Sequence, residues 1–184
     1  MLWLSFIACG ALFEPSFVPE DRSVVRESLT GNFRDGALEL ERLGLPKRAV
    51  NATVQTVSFS LRPGFEVRGA LWTPNTPSEV GVIVAHGHYG QGKSGAEAQE
   101  IAHRLAAQGA WVLAVDTPGV EEWDIDDRRI HFDDGAHNRG ILHARGTSAM
   151  ALQVDILRRG VDVLIAEGAT RIGATGASGL SLIH

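Results

Sequence analysis

The sequence predicts an α/β fold, a three-layer α/β/α sandwich around a mostly parallel sheet. Three observations predict it. Two segments of alternating polarity, before and after residue 63, indicate a β-hairpin. Apolar runs at 80–85, 110–115 and 172–174 indicate strands that are buried on both faces, the third of them over 171–175. Helical patterns lie between these runs, so we expect right-handed crossovers that place helices on both faces of the sheet.

The composition limits the kind of protein. A chain of 184 residues is long enough for one domain with a substantial core. Hydrophobic residues make up 44% and charged residues 21%, which indicates a globular chain rather than a disordered one. The net charge of −5 disfavours a nucleic-acid surface, which needs a basic patch. The single Cys9 excludes an internal disulfide framework and a cysteine-based metal site.

Residues 1–20 form a candidate signal or lipoprotein leader. The first 11 residues are apolar, and Cys9 stands where a lipoprotein-type cysteine would follow the apolar segment. The segment is short, however, and has no positively charged start. It could instead begin a strand or a helix, or contain a start codon placed inside a longer leader. For a bacterial protein, export or lipoprotein anchoring and a cytoplasmic location both stay open. No segment is long enough for an integral membrane span.

The first elements are expected in the following order. Residues 21–50 are predicted to form an N-terminal helical segment, and residues 51–179 the α/β core. The core starts with the hairpin, in which residues 53–60 and 65–72 alternate between apolar and polar side chains around a Pro-Gly turn. The first buried strand, at 80–85, follows it.

The remaining elements alternate between helix and strand. A helix is predicted over 94–108, with Ser94 as its N-cap and His103 on its exposed face. The second buried strand ends at Asp116, and a polar loop follows it. A long helix within 140–167 then leads to the third buried strand.

The polar loop contains a candidate metal cluster. Its potential ligands are His131, Asp133, Asp134 and His137. They lack the helical i, i+4 spacing that would fix two ligands on one face, so a solvated loop is favoured over a metal site. The sequence therefore predicts no metal site.

The loop after the first buried strand, His86 to Ser94, has two interpretations. It can form part of an oxyanion hole, in which backbone N–H groups stabilise the negative oxygen of an acyl-transfer intermediate by about 3 kcal/mol each. Gly87 would let the backbone turn, and the amide of His88 or Tyr89 would donate.

The same loop also matches a phosphate-binding pattern. Residues 87–94 fit G-x-x-x-x-G-K-S between a strand and a helix, and the D-T-P-G stretch at 116–119 resembles a GTPase turn. The segment between Lys93 and Asp116 is short for a GTPase, and no base-recognition motif follows. A nucleotide-binding protein is therefore the alternative interpretation.

The third buried strand leads into Gly176-Ala177-Ser178-Gly179, which is most of a G-x-S-x-G nucleophile elbow. Such an elbow is a sharp turn that raises the serine hydroxyl above the sheet. Because active sites of open α/β sheets lie at the carboxyl ends of the strands, we expect His86, Asp116 and Ser178 to share one edge. Asp116 is expected to bond loop amides there. The fifth elbow position is Leu180 rather than a small residue.

With these motifs the chain resembles the α/β-hydrolase fold, in particular bacterial dienelactone-hydrolase-like and acetyl-xylan-esterase-like serine hydrolases. The resemblance covers roughly residues 52–179. It implies an esterase that acts on a small-molecule or carbohydrate ester without a cofactor. It implies Ser178 as the nucleophile and an oxyanion hole formed by the amides of His88 and Gly179, with Gly87 shaping the loop.

The resemblance also implies missing parts. In this family the triad acid and base follow the nucleophile along the chain, yet only six residues follow Ser178, and His184 is too near to serve as the base. We therefore expect the N-terminal part of a hydrolase, inactive by itself. Residues 180–184 match one frame of a transposon-based sequencing adapter and are expected to be an artefact. The alternatives are an authentic tail and a catalytically inert hydrolase remnant.

Overall fold

The fold is known from a computed structural model that describes residues 36–62, 65–86, 91–116 and 149–176, and the structural statements below concern these ranges. It contains strands and helices with the following bounds: β1 Leu40–Ala49, β2 Ala52–Arg62, β3 Phe65–Pro74, β4 Val80–Ala85, α1 Ala96–Ala107, β5 Trp111–Val115, α2 Ala149–Ala166 and β6 Arg171–Gly176. A short 3-10 turn, Gly92–Ser94, precedes α1. The strands form one sheet in the order β1-β2-β3-β5-β4-β6.

The described sheet is mixed. The pairs β1–β2, β2–β3 and β3–β5 are antiparallel, whereas β5–β4 and β4–β6 are parallel. The predicted parallel arrangement is therefore found in β5, β4 and β6. The strands β1, β2 and β3 add an antiparallel part to the same sheet. The predicted three layers are confirmed, because α1 packs on one face of the sheet and α2 on the other.

The predicted hairpin is confirmed as β2 and β3, and its alternation sorts side chains between the two faces. In β2, Val57, Phe59 and Leu61 belong to the core cluster beneath α2. In β3, Leu71 faces that cluster, and its neighbour Trp72 belongs to the cluster beneath α1. Successive side chains of a strand point to opposite faces of the sheet, so neighbouring residues contribute to the two different clusters.

Helix α1 contacts the sheet through small side chains. Ala98, Ala102 and Ala106 recur every four residues and are all buried. Because residues at this spacing share one face of a helix, they form a flat stripe that packs on Val84 and Ala114 of the central strands.

Two details of the predicted α1 are wrong. The helix begins at Ala96 after Gly95, without a side-chain cap, and Ser94 belongs to the preceding 3-10 turn. His103 is half-buried rather than exposed, because its ring stacks on Trp72 of β3 with centroids 5.4 Å apart. Its Nε2 also lies 3.0 Å from the carbonyl oxygen of Val50.

Helix α2 packs closely on the centre of the sheet. Its predicted apolar stripe of Leu152, Ile156 and Val163 is buried, as expected. Gly160 permits the close approach, because a Cβ at that position would lie 3.3 Å from Cδ2 of Leu113 in β5.

The predicted N-terminal helical segment, residues 21–50, is wrong for Leu40–Ala49. That segment is β1, an antiparallel partner of β2. Gly44 has a φ of +65°, and the register shifts between Leu43 and Lys47, so the pairing with β2 is irregular around the glycine. Residues 1–35, which include the candidate leader, lie outside the described ranges.

Strand β6 is more exposed than the prediction of a buried strand implies. It pairs with β4 alone among the described strands, and the exposed fraction of Ile172 is 37%. Its position at the edge of the described sheet accounts for this exposure. Within the described part of the chain, no helix is long and apolar enough to cross a bilayer.

Candidate functional site

The three parallel strands end at the same level. Ala85 of β4 is the Cα partner of both Val115 in β5 and Gly176 in β6. Because these strands run in the same direction, the chain leaves all three at one edge of the sheet, the edge at which α/β proteins bind ligands. His86 and Asp116 are the next residues after β4 and β5, so the prediction that they share this edge is confirmed.

Asp116 is held by two bonds from one residue. Its Oδ1 accepts a 2.7 Å hydrogen bond from the backbone N–H of Lys93, and its Oδ2 lies 2.5 Å from Lys93 Nζ. The exposed side-chain fractions are 0% for Asp116 and 5% for Lys93. A carboxylate this deeply buried needs a cation or donors nearby, and Lys93 supplies both. The prediction that Asp116 bonds loop amides is confirmed for this amide.

Lys93 also has its carbonyl oxygen engaged. It lies in the 3-10 turn before α1, and Nε2 of Gln99, in the first turns of α1, donates to that oxygen at 2.5 Å. The turn starts at Gly92, whose φ of +47° lies in the left-handed region that favours glycine. Lys93 is therefore fixed through its amide, its carbonyl and its ammonium group.

The pairing of Lys93 with Asp116 was not predicted from the sequence, in which the lysine matched only the pattern of a phosphate ligand. One signal could have found it. A carboxylate at the end of an apolar strand needs a partner, and Lys93 is one of only two lysines in the chain.

His86 is buried next to this ion pair. Its Nε2 lies 3.9 Å from Oδ1 of Asp116, which is beyond hydrogen-bond distance. A catalytic histidine needs a direct hydrogen bond from its ring to the orienting carboxylate. The observed spacing therefore disfavours His86 and Asp116 as the base and acid of a triad, and no general base is assigned among the described residues.

The same geometry disfavours the phosphate-loop interpretation. In a phosphate loop, the backbone amides and the lysine point at the bound phosphates. Here both the amide and the ammonium group of Lys93 are directed at Asp116.

The strand that leads to the predicted elbow approaches β4 closely. A Cβ at Gly176 would lie 3.2 Å from the carbonyl oxygen of Ala85, tighter than ordinary contact. The glycine therefore permits this approach where the three strands end. The predicted nucleophile and oxyanion-hole residues lie outside the described ranges, and their roles stay predictions; they are Ser178, Gly179, Gly87 and His88.

No group of three or more His, Cys, Asp or Glu side chains is placed to bind a metal among the residues that the structure describes. The polar loop with its four potential ligands, His131 to His137, lies outside those residues.

Comparison with known proteins gives matches among solved structures. No protein-family model matches the chain, and no curated protein matches it. A protein from Bacteroides fragilis assigned as an acetyl xylan esterase superimposes with a TM-score of 0.65 and 16% identity, over 84% of this chain and 45% of that chain. A methylesterase gives a TM-score of 0.63 and 23% identity, over 83% of this chain and 32% of that chain.

A third structure, a cold-adapted esterase from an Arctic intertidal metagenomic library, gives a TM-score of 0.55 and 24% identity. The match covers 75% of this chain and 56% of that chain. Across the three structures, the chain spans between about a third and just over half of the matched protein. At these identities the similarity establishes the fold, and the predicted α/β-hydrolase fold is confirmed.

Proposed function

We propose that this α/β-hydrolase domain belongs to a serine hydrolase of the carboxylesterase or deacetylase type, which cleaves an ester bond with Ser178 as the nucleophile. The observation that carries the proposal is the common level at which β4, β5 and β6 end, with Ala85 as the partner of both Val115 and Gly176. Gly176, two residues before Ser178, is the Cα partner of Ala85, the residue that precedes the buried His86. Structural neighbours described as esterases support the ester bond as the target.

The proposed reaction is acyl transfer in two steps. The hydroxyl oxygen of Ser178 attacks the acyl carbon, and the carbonyl electrons move onto the oxygen. The amides of His88 and Gly179 donate to this oxyanion, and Gly87 lets the loop backbone turn toward it. A general base takes the serine proton and passes it to the departing alcohol. Water then attacks the acyl-enzyme, releases the carboxylic acid and restores Ser178.

The proposed substrate is a small-molecule or carbohydrate ester. One neighbour is assigned as an acetyl xylan esterase and another is a methylesterase. These activities differ in the side of the ester bond that is small, since an acetyl ester has a small acyl group and a methyl ester has a small alcohol. A chromogenic acetate and a methyl ester of a bulky acid, compared by kcat/KM, therefore decide which side this protein recognises.

Covalent labelling tests the nucleophile. We expect a fluorophosphonate probe to label the protein expressed from its complete gene, and Ser178→Ala to abolish the labelling. The matched control is Ser78→Ala at the opposite end of β4, where the hydroxyl bonds the carbonyl of Gly109. This control should label like the unmodified protein. Labelling that survives Ser178→Ala, or esterase activity without any labelling, would remove Ser178 as the nucleophile.

Nucleotide titration tests the alternative class. We expect no binding of ATP or GTP in the presence of magnesium, because the ammonium group of Lys93 is paired with Asp116. Tight magnesium-dependent binding that is weakened by Ser94→Ala, a change at an exposed residue, would replace the hydrolase proposal with a nucleotide-binding one.

A further inference from the structure

We propose that Asp116 is a positioning residue, whose carboxylate fixes the α1 end of the segment between β4 and α1 through Lys93. This inference rests on the proposed function, because that segment carries the proposed oxyanion donor His88. Asp116 itself lies outside that segment and outside β4 and α1, because it follows β5.

The far end of the segment is fixed at Lys93. The 2.7 Å bond to Asp116 Oδ1 holds the direction of the Lys93 backbone N–H, and the 2.5 Å ion pair returns the side chain to the same carboxylate. The bond from Gln99 to the Lys93 carbonyl joins this residue to α1. The two peptide groups that flank Lys93 are therefore both held, one through its N–H and the other through its C=O.

The near end, at His86, lies beside the same carboxylate without a hydrogen bond to it. Ala85 and Val115 are Cα partners, so His86 and Asp116 leave neighbouring strands from the same level. The imidazole is buried, with Nε2 3.9 Å from Oδ1 of Asp116. The carboxylate of Asp116 thus lies beside His86, where the segment begins, and accepts bonds from Lys93, where it ends.

Such anchoring matters for catalysis because an oxyanion hole works only when its donors are already in place. Removing one donor lowers kcat by roughly 100- to 1000-fold, and a misplacement of about 1 Å also lowers the rate. Asp116 does not touch the substrate in this proposal. Its expected effect is therefore smaller than the loss of a donor, and it falls on kcat rather than on KM.

The test uses two double variants, because either single change would leave one buried charge without its partner and could prevent folding. In K93M/D116N the carboxamide oxygen still accepts from the backbone N–H of residue 93, and only the ion pair is lost. In K93M/D116A both bonds are lost. The matched control is E100Q/R104M, which removes an exposed ion pair from α1, the helix that follows the segment.

The expected result is a graded loss of kcat in the protein expressed from its complete gene, assayed with a chromogenic acetate. K93M/D116A should lower kcat on the order of tenfold, with KM changed less than about twofold. K93M/D116N should stay within about threefold of the unmodified protein, because it keeps the main-chain bond. The control should leave both constants unchanged.

Amide hydrogen exchange gives a readout that needs no activity. We expect residues 86–95 to exchange faster in K93M/D116A than in K93M/D116N, while β2 and β3 exchange as in the unmodified protein. If K93M/D116A does not fold, K93M/D116S takes its place in the comparison with K93M/D116N, because a serine side chain is too short to reach the backbone N–H of residue 93. Equal protection of residues 86–95 in those two double variants would then overturn the proposal.

Two further outcomes would overturn it. One is a folded K93M/D116A with unchanged kcat and exchange, and the other is an equal loss of kcat in both double variants. Ser178→Ala separates this inference from the proposed function. If that change abolishes activity while K93M/D116A keeps it, only the positioning role fails. If activity survives Ser178→Ala, the proposed function fails, and hydrogen exchange still decides the positioning role.

Discussion

The two halves of the sheet differ in strand length and in how their strands are connected. The antiparallel half, β1 to β3, has strands of 10, 11 and 10 residues in consecutive pairs. The parallel half, β5, β4 and β6, has strands of 5, 6 and 6 residues that end at one level. The long strands extend the core, whereas the short ones bring polar residues from distant parts of the chain to a common edge.

The halves also differ in where they keep their charges. In the antiparallel half, Nη2 of the exposed Arg42 in β1 donates at 2.7 Å to both carboxylate oxygens of Glu167, the residue that follows α2. In the parallel half, Lys93 and Asp116 form their pair in the interior. Surface pairs contribute little to stability, whereas removing one member of a buried pair is strongly destabilising. The comparison therefore predicts that the two halves tolerate charge removal very differently.

The largest effect is expected from Asp116→Ala, which leaves the ammonium group of Lys93 buried without its carboxylate. We expect a loss of about 3–5 kcal/mol in the free energy of unfolding, measured by urea denaturation. A loss below about 1 kcal/mol would show that the pair is not buried as described. That result would remove the contrast between the two halves.

A smaller effect is expected where the halves share one core. Ile156 of α2 is fully buried in the cluster that contains β2, β3, β4 and β5 side chains, so Ile156→Ala should cost about 2–5 kcal/mol through the cavity it leaves. Ile165→Ala is the matched control on the same helix. Ile165 is 54% exposed, and its change should stay within about 0.5 kcal/mol. Equal losses in the two variants, by urea denaturation, would contradict this placement of α2.

The junction of the halves gives the next prediction. At Gly69 in β3, a Cβ would lie 2.9 Å from Cδ1 of Leu113 and 3.1 Å from the carbonyl oxygen of Ala114 in β5. Gly69→Ala should therefore lower the free energy of unfolding by about 1–3 kcal/mol through overpacking. Gly173→Ala in β6 has nothing within 4 Å of its Cβ and serves as the control. A Gly69→Ala protein as stable as this control would place the strands further apart.

The smallest effect is expected from Arg42→Met in the antiparallel half. The pair with Glu167 is partly exposed, through an arginine side chain that is 43% accessible, so its loss should change the free energy of unfolding by less than about 1 kcal/mol. The difference should shrink further as salt is raised from low to physiological ionic strength. Thermal denaturation at two salt concentrations measures it, and a large difference that does not depend on salt would contradict a surface pair.

The same contrast explains what could be predicted from the sequence. The hairpin, the apolar strands and both helices follow from periodic patterns, because each period matches a geometry that local residues alone define. Strand β1 was missed because Gly44 and the exposed Leu45 interrupt the alternation where the register shifts. The pair of Lys93 with Asp116 joins residues 23 positions apart and depends on the crossover that brings the strand ends together. Local patterns do not contain that information.

The central claim is that a serine after β6 forms an acyl-enzyme at the edge where β4, β5 and β6 end. The most direct measurement is acid-quench mass spectrometry of the protein, expressed from its complete gene and mixed with p-nitrophenyl acetate. We predict one acetyl group on Ser178, trapped during turnover and absent from Ser178→Ala. Ester turnover with the acetyl group on a different residue, or turnover that persists in Ser178→Ala, would contradict the account.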